Sequence, residues 1–271
     1  MINIIITEFQ KLKRYSILWV GIAAVLFSAL LAVFQQNSGT EIMQYENYTN
    51  SVIWNNFSIA FPFMIVLMGG YIINREYVDH TMKNMLTVPI PFRKLLAGKV
   101  ITIGLISAMY GFFSFLSTFA FGALFCQGNM SLVLVIKSFF QLIGLGLCCY
   151  LAVLPIILLF SRKPNGFLAG TGLAFVYGFC GVFIAGRALT DYYPITAGLG
   201  IIKFTGDDTL SYQLSVEIGV LLTMAVISIV MLLYTKGLED HVSITKNKGK
   251  NTRNNSKSIF IKEQTSKNNH I

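Results

Sequence analysis

Apolar residues in this chain come in long blocks separated by short polar stretches. The blocks cover residues 16–34, 54–73, 100–125, 138–160, 166–186 and 216–234. Each reaches the roughly 18 residues that an α-helix needs to cross the hydrocarbon core of a bilayer. A helix satisfies its own backbone groups in lipid, so the pattern predicts an all-α, polytopic membrane protein with about six transmembrane helices. Ahead of the first block, Ile4, Ile5, Phe9 and Leu12 are interleaved with Glu8, Gln10, Lys11 and Lys13. That mixture suits an amphipathic helix lying in the interface. The first block is too long for a signal peptide and further spans follow it, which predicts an uncleaved helix. Pro62 and Pro155 fall inside the second and fourth blocks, where neighbouring helices must satisfy the carbonyls they free.

The organisation that follows is an interfacial helix at 1–15, a six-helix transmembrane domain at 16–235 and a tail at 236–271. The tail is rich in Lys, Asn and Ser, with little to bury, and is expected to be disordered.

Charge orients the spans. Lys and Arg before the first block, in 74–99, at Arg162 and Lys163, and in the tail number 18, against three (Lys137, Arg187 and Lys203) on the other side. Without the tail the split is 10 to 3. The excess of basic residues on cytoplasmic loops predicts that both termini lie inside. The chain is 54% hydrophobic and 12% charged, with a mean hydropathy of +0.64. So few charged residues cannot cover a soluble surface. The net charge of +9 sits where anionic headgroups are met, and no aromatic-basic interleaving accompanies it, which argues against a nucleic-acid partner.

Candidate chemistry is sparse. Gly98-Lys99 and Gly249-Lys250 are followed by Val100 and Asn251 and lack the earlier glycine, so neither forms a phosphate-cradling loop. His80, His241 and His270 have no metal-ligand spacing. Cys126, Cys148, Cys149 and Cys180 make no CxxC pair and read as small apolar helix residues. No GxSxG elbow occurs. Glu217, at the outer edge of the last block, is nearly alone as an ionisable residue in the spans, and no proton relay crosses them. No cofactor is expected on the chain itself.

Two patterns remain. Gly166, Gly170, Ala174 and Gly178 recur every four residues, a spacing that lets a second helix approach closely, within one chain or between two. The segment 187–213, expected outside, mixes Tyr192, Tyr193 and Pro194 with Ile195, Leu199, Ile201 and Ile202. It fits either short broken helices shielded by protein or a loop with an aromatic belt.

The loop between the second and third blocks is the informative one. Tyr77, Val78, Met82, Met85 and Leu86 follow a helical period, and Pro89 and Pro91 end it. This predicts a short amphipathic helix that docks a cytoplasmic partner. The segment 74–99 also resembles the coupling segment of the membrane subunit of type 2 ABC exporters. The matching residues are Glu76, Thr81, Thr87, Pro89, Arg93 and Lys99, with His80 where that family usually has glycine. Within the family the basic N-terminus and short length resemble permeases of bacitracin- and lantibiotic-resistance exporters. The resemblance implies a half-transporter of the bacterial plasma membrane, not an enzyme by itself. A cytoplasmic ABC ATPase subunit would bind the ATP, and a second permease copy or a paralogous permease would complete the assembly. Membrane lipid and an amphiphilic peptide cargo are the other partners implied. The coupling residues would be Glu76, His80, Thr81, Thr87, Pro89 and Arg93. A lipid, sodium or drug exporter of the same family, and a non-transporting sensor or scaffold, are the alternatives.

Overall fold

The computed structural model describes residues 2–12, 16–37, 43–78, 92–126, 130–160, 166–206 and 212–234. The chain divides into two units, Met1–Leu232 and Leu233–Ile271, and the first holds the helices discussed below. Among the described residues, six helices are long and apolar enough to cross a membrane. The chain starts with α1 (Ile2–Leu12) and α2 (Ile17–Asn37). Next, α3 (Tyr45–Asn55) runs through a π-helical turn at Asn56–Ala60 into α4 (Phe61–Val78). The remaining helices are α5 (Phe92–Phe125), α6 (Leu132–Phe160), α7 (Gly166–Ile184), α8 (Pro194–Ile201) and α9 (Leu214–Leu233).

The second span extends from Tyr45 to Arg75 and the fourth from Leu132 to Phe160. Both begin earlier than their apolar blocks at 54 and 138. The added turns carry residues that look polar in sequence but are satisfied in the fold. Tyr45 is buried and its hydroxyl lies 2.9 Å from that of Ser138. Tyr48 is buried and donates to the Ala29 carbonyl. Glu46 and Lys137 form a half-exposed ion pair at 3.1 Å.

The second and fourth spans are the most buried and the sixth the least. α4 packs against α7, α6, α5 and α2, and α5 runs along α6. Close approach at two of these contacts rests on missing side chains. A Cβ on Gly146 of α6 would fall 2.7 Å from the Ser107 carbonyl of α5. A Cβ on Gly178 of α7 would collide with the Ser58 carbonyl. Pro62 has no N–H to offer that carbonyl four residues back, and its ring also lies against Gly178.

The π turn is held by a buried polar cluster. The Ser28 hydroxyl donates to Asn56 Oδ1 at 2.6 Å, and Asn56 Nδ2 donates to the Ser114 hydroxyl at 2.7 Å. Ser117 and Thr118 both return their hydroxyls to the Ser114 carbonyl. These bonds pin α2, the π turn and α5 together among buried residues. There an unmade bond is costly.

The segment 187–213 contains a short buried helix, α8, with Pro194 in its first turn. It packs on α6, and Gln141 of α6 donates to the carbonyls of Ile202 and Lys203 just past its end. Tyr193 donates to the Tyr177 carbonyl of α7 at 2.6 Å. Apolar positions at Ile195 and Leu199, four apart, supply its buried face.

Candidate functional site

The site is built at the bundle end where α1, the end of α4 and the start of α5 meet. α1 puts Glu8 and Leu12 on one face by their spacing of four, and both are buried, while Ile6 and Thr7 are exposed. An amphipathic helix normally turns its acidic residues to water. Here Glu8 points inward because two cations receive it. Lys99 of α5 donates to Glu8 Oε2 at 2.9 Å, and Lys11 donates to Oε1 at 2.8 Å. The Glu8 and Lys99 side chains are 4% and 3% exposed. Lys99 also donates to the Ile72 carbonyl of α4 at 3.4 Å. One ammonium therefore bonds α1 and α4 from α5.

Burial by itself would raise the Glu8 carboxyl above its ordinary value. The charges of Lys99 and Lys11 and their hydrogen bonds outweigh that, and the carboxyl is held below it. Around the pair, Asn74 is buried, and Arg75 donates to the Tyr71 hydroxyl at 2.7 Å with its guanidinium over that ring. The Tyr71 ring meets Phe167 of α7 edge-on.

Of the residues singled out in sequence, Glu76 lies in the last turn of α4 and Arg93 in the first turn of α5. Only their backbones are described. His80, Thr81, Thr87 and Pro89, with the expected docking helix, lie outside the described residues. Lys99 is buried against α1 and α4. Gly170, Ala174 and Gly178 are buried on one face of α7, with Gly166 half-buried, and the neighbours of Gly170 and Gly178 are Phe160 and Ser58 of the same chain. Glu8 was not legible as a functional residue, because an acid on an amphipathic helix looks like a solvated one. Its signal was the absence of acidic partners near Lys99 within the spans. Asn56, a lone carboxamide within an apolar run, carried a signal of the same kind.

The geometry ties together the two helix ends that bracket residues 79–91. Comparison with known proteins gives this arrangement a family. The profile of the ABC-2 family transporter proteins matches residues 4–181, from α1 through nearly all of α7. The bacitracin transport permease protein BCRB of Bacillus licheniformis is 27% identical over 112 residues, covering 41% of this chain and 53% of that protein. The chain thus matches about half the length of that relative. The six apolar helices and the family make this a multi-pass membrane protein, which in a bacterium resides in the plasma membrane. From α1 onward, through the ion pair and the first five spans, the chain belongs to the ABC-2 transporter family.

Proposed function

We propose that this chain is the permease subunit of an ATP-driven exporter of amphiphilic peptides, conferring resistance or immunity to an antibiotic of the bacitracin or lantibiotic kind. A separate ABC ATPase docks at the α1 end of the bundle, which the charge count places in the cytoplasm, and two permeases pair in the assembly. The observation that carries the reading is the buried Glu8–Lys99 pair. It joins α1 to the helices on both sides of the coupling segment 74–99, so a push on that segment reaches α1, α4 and α5 as one body. Energy then passes as a bias between two packed arrangements of the spans. Glu76, at the end of α4, is the residue we assign to the docking contact, together with Arg93 at the start of α5. The peptide cargo rests on the similarity to the bacitracin permease.

The test is co-purification of the full chain with a candidate ABC ATPase subunit, followed by ATPase rates across a panel of peptide antibiotics, lipids and sodium. Stimulation by one peptide class, lost together with export in Glu76→Ala, is the expected result. A flat response to every peptide sinks the cargo assignment. Failure of any ATPase to co-purify sinks the half-transporter assignment.

A further inference from the structure

The most anomalous group in the bundle is a carboxylate at the end opposite α1. Glu217 lies in the first turn of α9 and is fully buried, and neither carboxylate oxygen has a hydrogen-bond partner among the described residues. Groups buried this deeply are paired almost without exception. Its surroundings add negative character instead of cancelling it. The carboxyl lies directly against Gly200 in the last turn of α8, where a Cβ would take its place. That is the carbonyl end of a helix, which carries partial negative charge, although the carbonyls of Gly198, Leu199 and Gly200 there already accept from the amides of Ile202, Phe204 and Lys203. Asp191 interacts electrostatically with Glu217, and its own Oδ1 is buried without a partner. The thiol of Cys148 on α6 stands within the same electrostatic reach. Lys203 is exposed and forms no ion pair with it among the described residues.

We propose that Glu217, Asp191 and the carbonyl end of α8 bind a small, hard cation, Na⁺ or Ca²⁺ by its chemistry, that fastens α9 to the bundle. Carboxylate and backbone carbonyl oxygens are the ligands such ions take. No three His, Cys, Asp or Glu side chains converge among the described residues, which disfavours a transition metal. A proton on Glu217 would settle the charge but leave an O–H without an acceptor. The need for a fastener follows from α9 itself: Glu217, Leu221 and Ser228 are its buried residues, so little apolar contact anchors it. The inference is independent of the cargo and ATPase assignments above.

The experiment is thermal melting of the full chain in detergent, stripped with chelator into a large organic cation, then titrated with NaCl or CaCl₂ at matched ionic strength. One of the two salts is expected to raise Tm by a few degrees in a saturable way, and Glu217→Gln to abolish the rise. Should that variant not fold, Asp191→Asn is the second probe, with the titration displaced at least tenfold to higher concentration. An unchanged Tm in both salts overturns the proposal, as does an equal response in the Glu217→Gln protein. Stabilisation by lowered pH alone, with no cation dependence, also overturns it, since a proton then fills the site.

Discussion

The ammonium of Lys99 and the carboxylate of Glu8 meet at 2.9 Å across 91 residues of sequence, and both are almost completely shut off from solvent. A pair this deeply buried is not a large net source of stability, because desolvation consumes most of the attraction. Its value is positional. An interfacial helix that could otherwise slide on the membrane is held in one register against α4 and α5.

The two partners are not equivalent. Glu8→Ala leaves the Lys99 charge buried beside the Ile72 carbonyl and is expected to cost about 3–5 kcal/mol. Lys99→Met leaves Glu8 with Lys11 still bonded to it and is expected to cost less. A double-mutant cycle by denaturant unfolding in mixed micelles measures both. Equal costs, or a coupling energy near zero, would remove the ion pair from the account.

Acid is expected to loosen the same joint. The folded carboxyl of Glu8 lies below its ordinary value of 4.5, so its ionised form is favoured by folding. A group with a depressed folded value contributes stability that is fully present above the unfolded value and is lost as pH falls through the folded one. Melting temperature should therefore hold from neutral pH down to about 5 and then fall. The Glu8→Gln protein should lack that component of the decline. A parallel decline in both proteins would assign the acid sensitivity to other groups.

Within the membrane the Asn56 cluster gives a third expectation. Asn56→Leu removes the partners of both the Ser28 and Ser114 hydroxyls and is expected to cost about 1–2 kcal/mol, the range for hydrogen bonds between membrane helices. Ser28→Ala should cost less, because Asn56 keeps its bond to Ser114. Unfolding free energies of the three proteins check the ranking.

The α4–α7 contact can be probed with its own control on one helix. Gly178→Ala drives a methyl into the Ser58 backbone, whereas a Cβ on Gly172 meets nothing within 4 Å. The first should lower Tm and the second leave it unchanged or raise it slightly, since alanine favours helix over glycine by about 1 kcal/mol. Comparable melting of the two proteins would mean that the helices part easily at Gly178.

How much of this was readable in sequence depended on the kind of residue. Long apolar runs need only length to be recognised, so the six spans and the interfacial helix were legible. The beginnings of the second and fourth were not. Tyr45, Tyr48 and Lys137 look like loop residues until Ser138, the Ala29 carbonyl and Glu46 supply their partners. The same holds for the site. Lys99 stood out by its place at the head of a span, but Glu8 acquires meaning only when the fold brings it to Lys99. Local pattern reports what one helix prefers. A buried polar group reports what its neighbour supplies, and the neighbour lies up to 93 residues away. The segment 187–213 fits helix and loop equally in sequence, because α8, at eight residues, is too short for a period to be read. Gln141, which caps it, belongs to another span.

The π turn at Asn56–Ala60 has a consequence for the phase of the second span. A π turn holds one more residue than an α turn, and each residue of a helix advances it by about 100°. The span is therefore two helices on one axis, with their faces offset by that step. Tyr45 and Tyr48 can face α6 and α2 on one side of the turn while Ile72 presents its carbonyl to Lys99 on the other, and neither half has to compromise for the other. Removing a single residue from the turn would rotate one set of contacts past its partners and leave the other untouched.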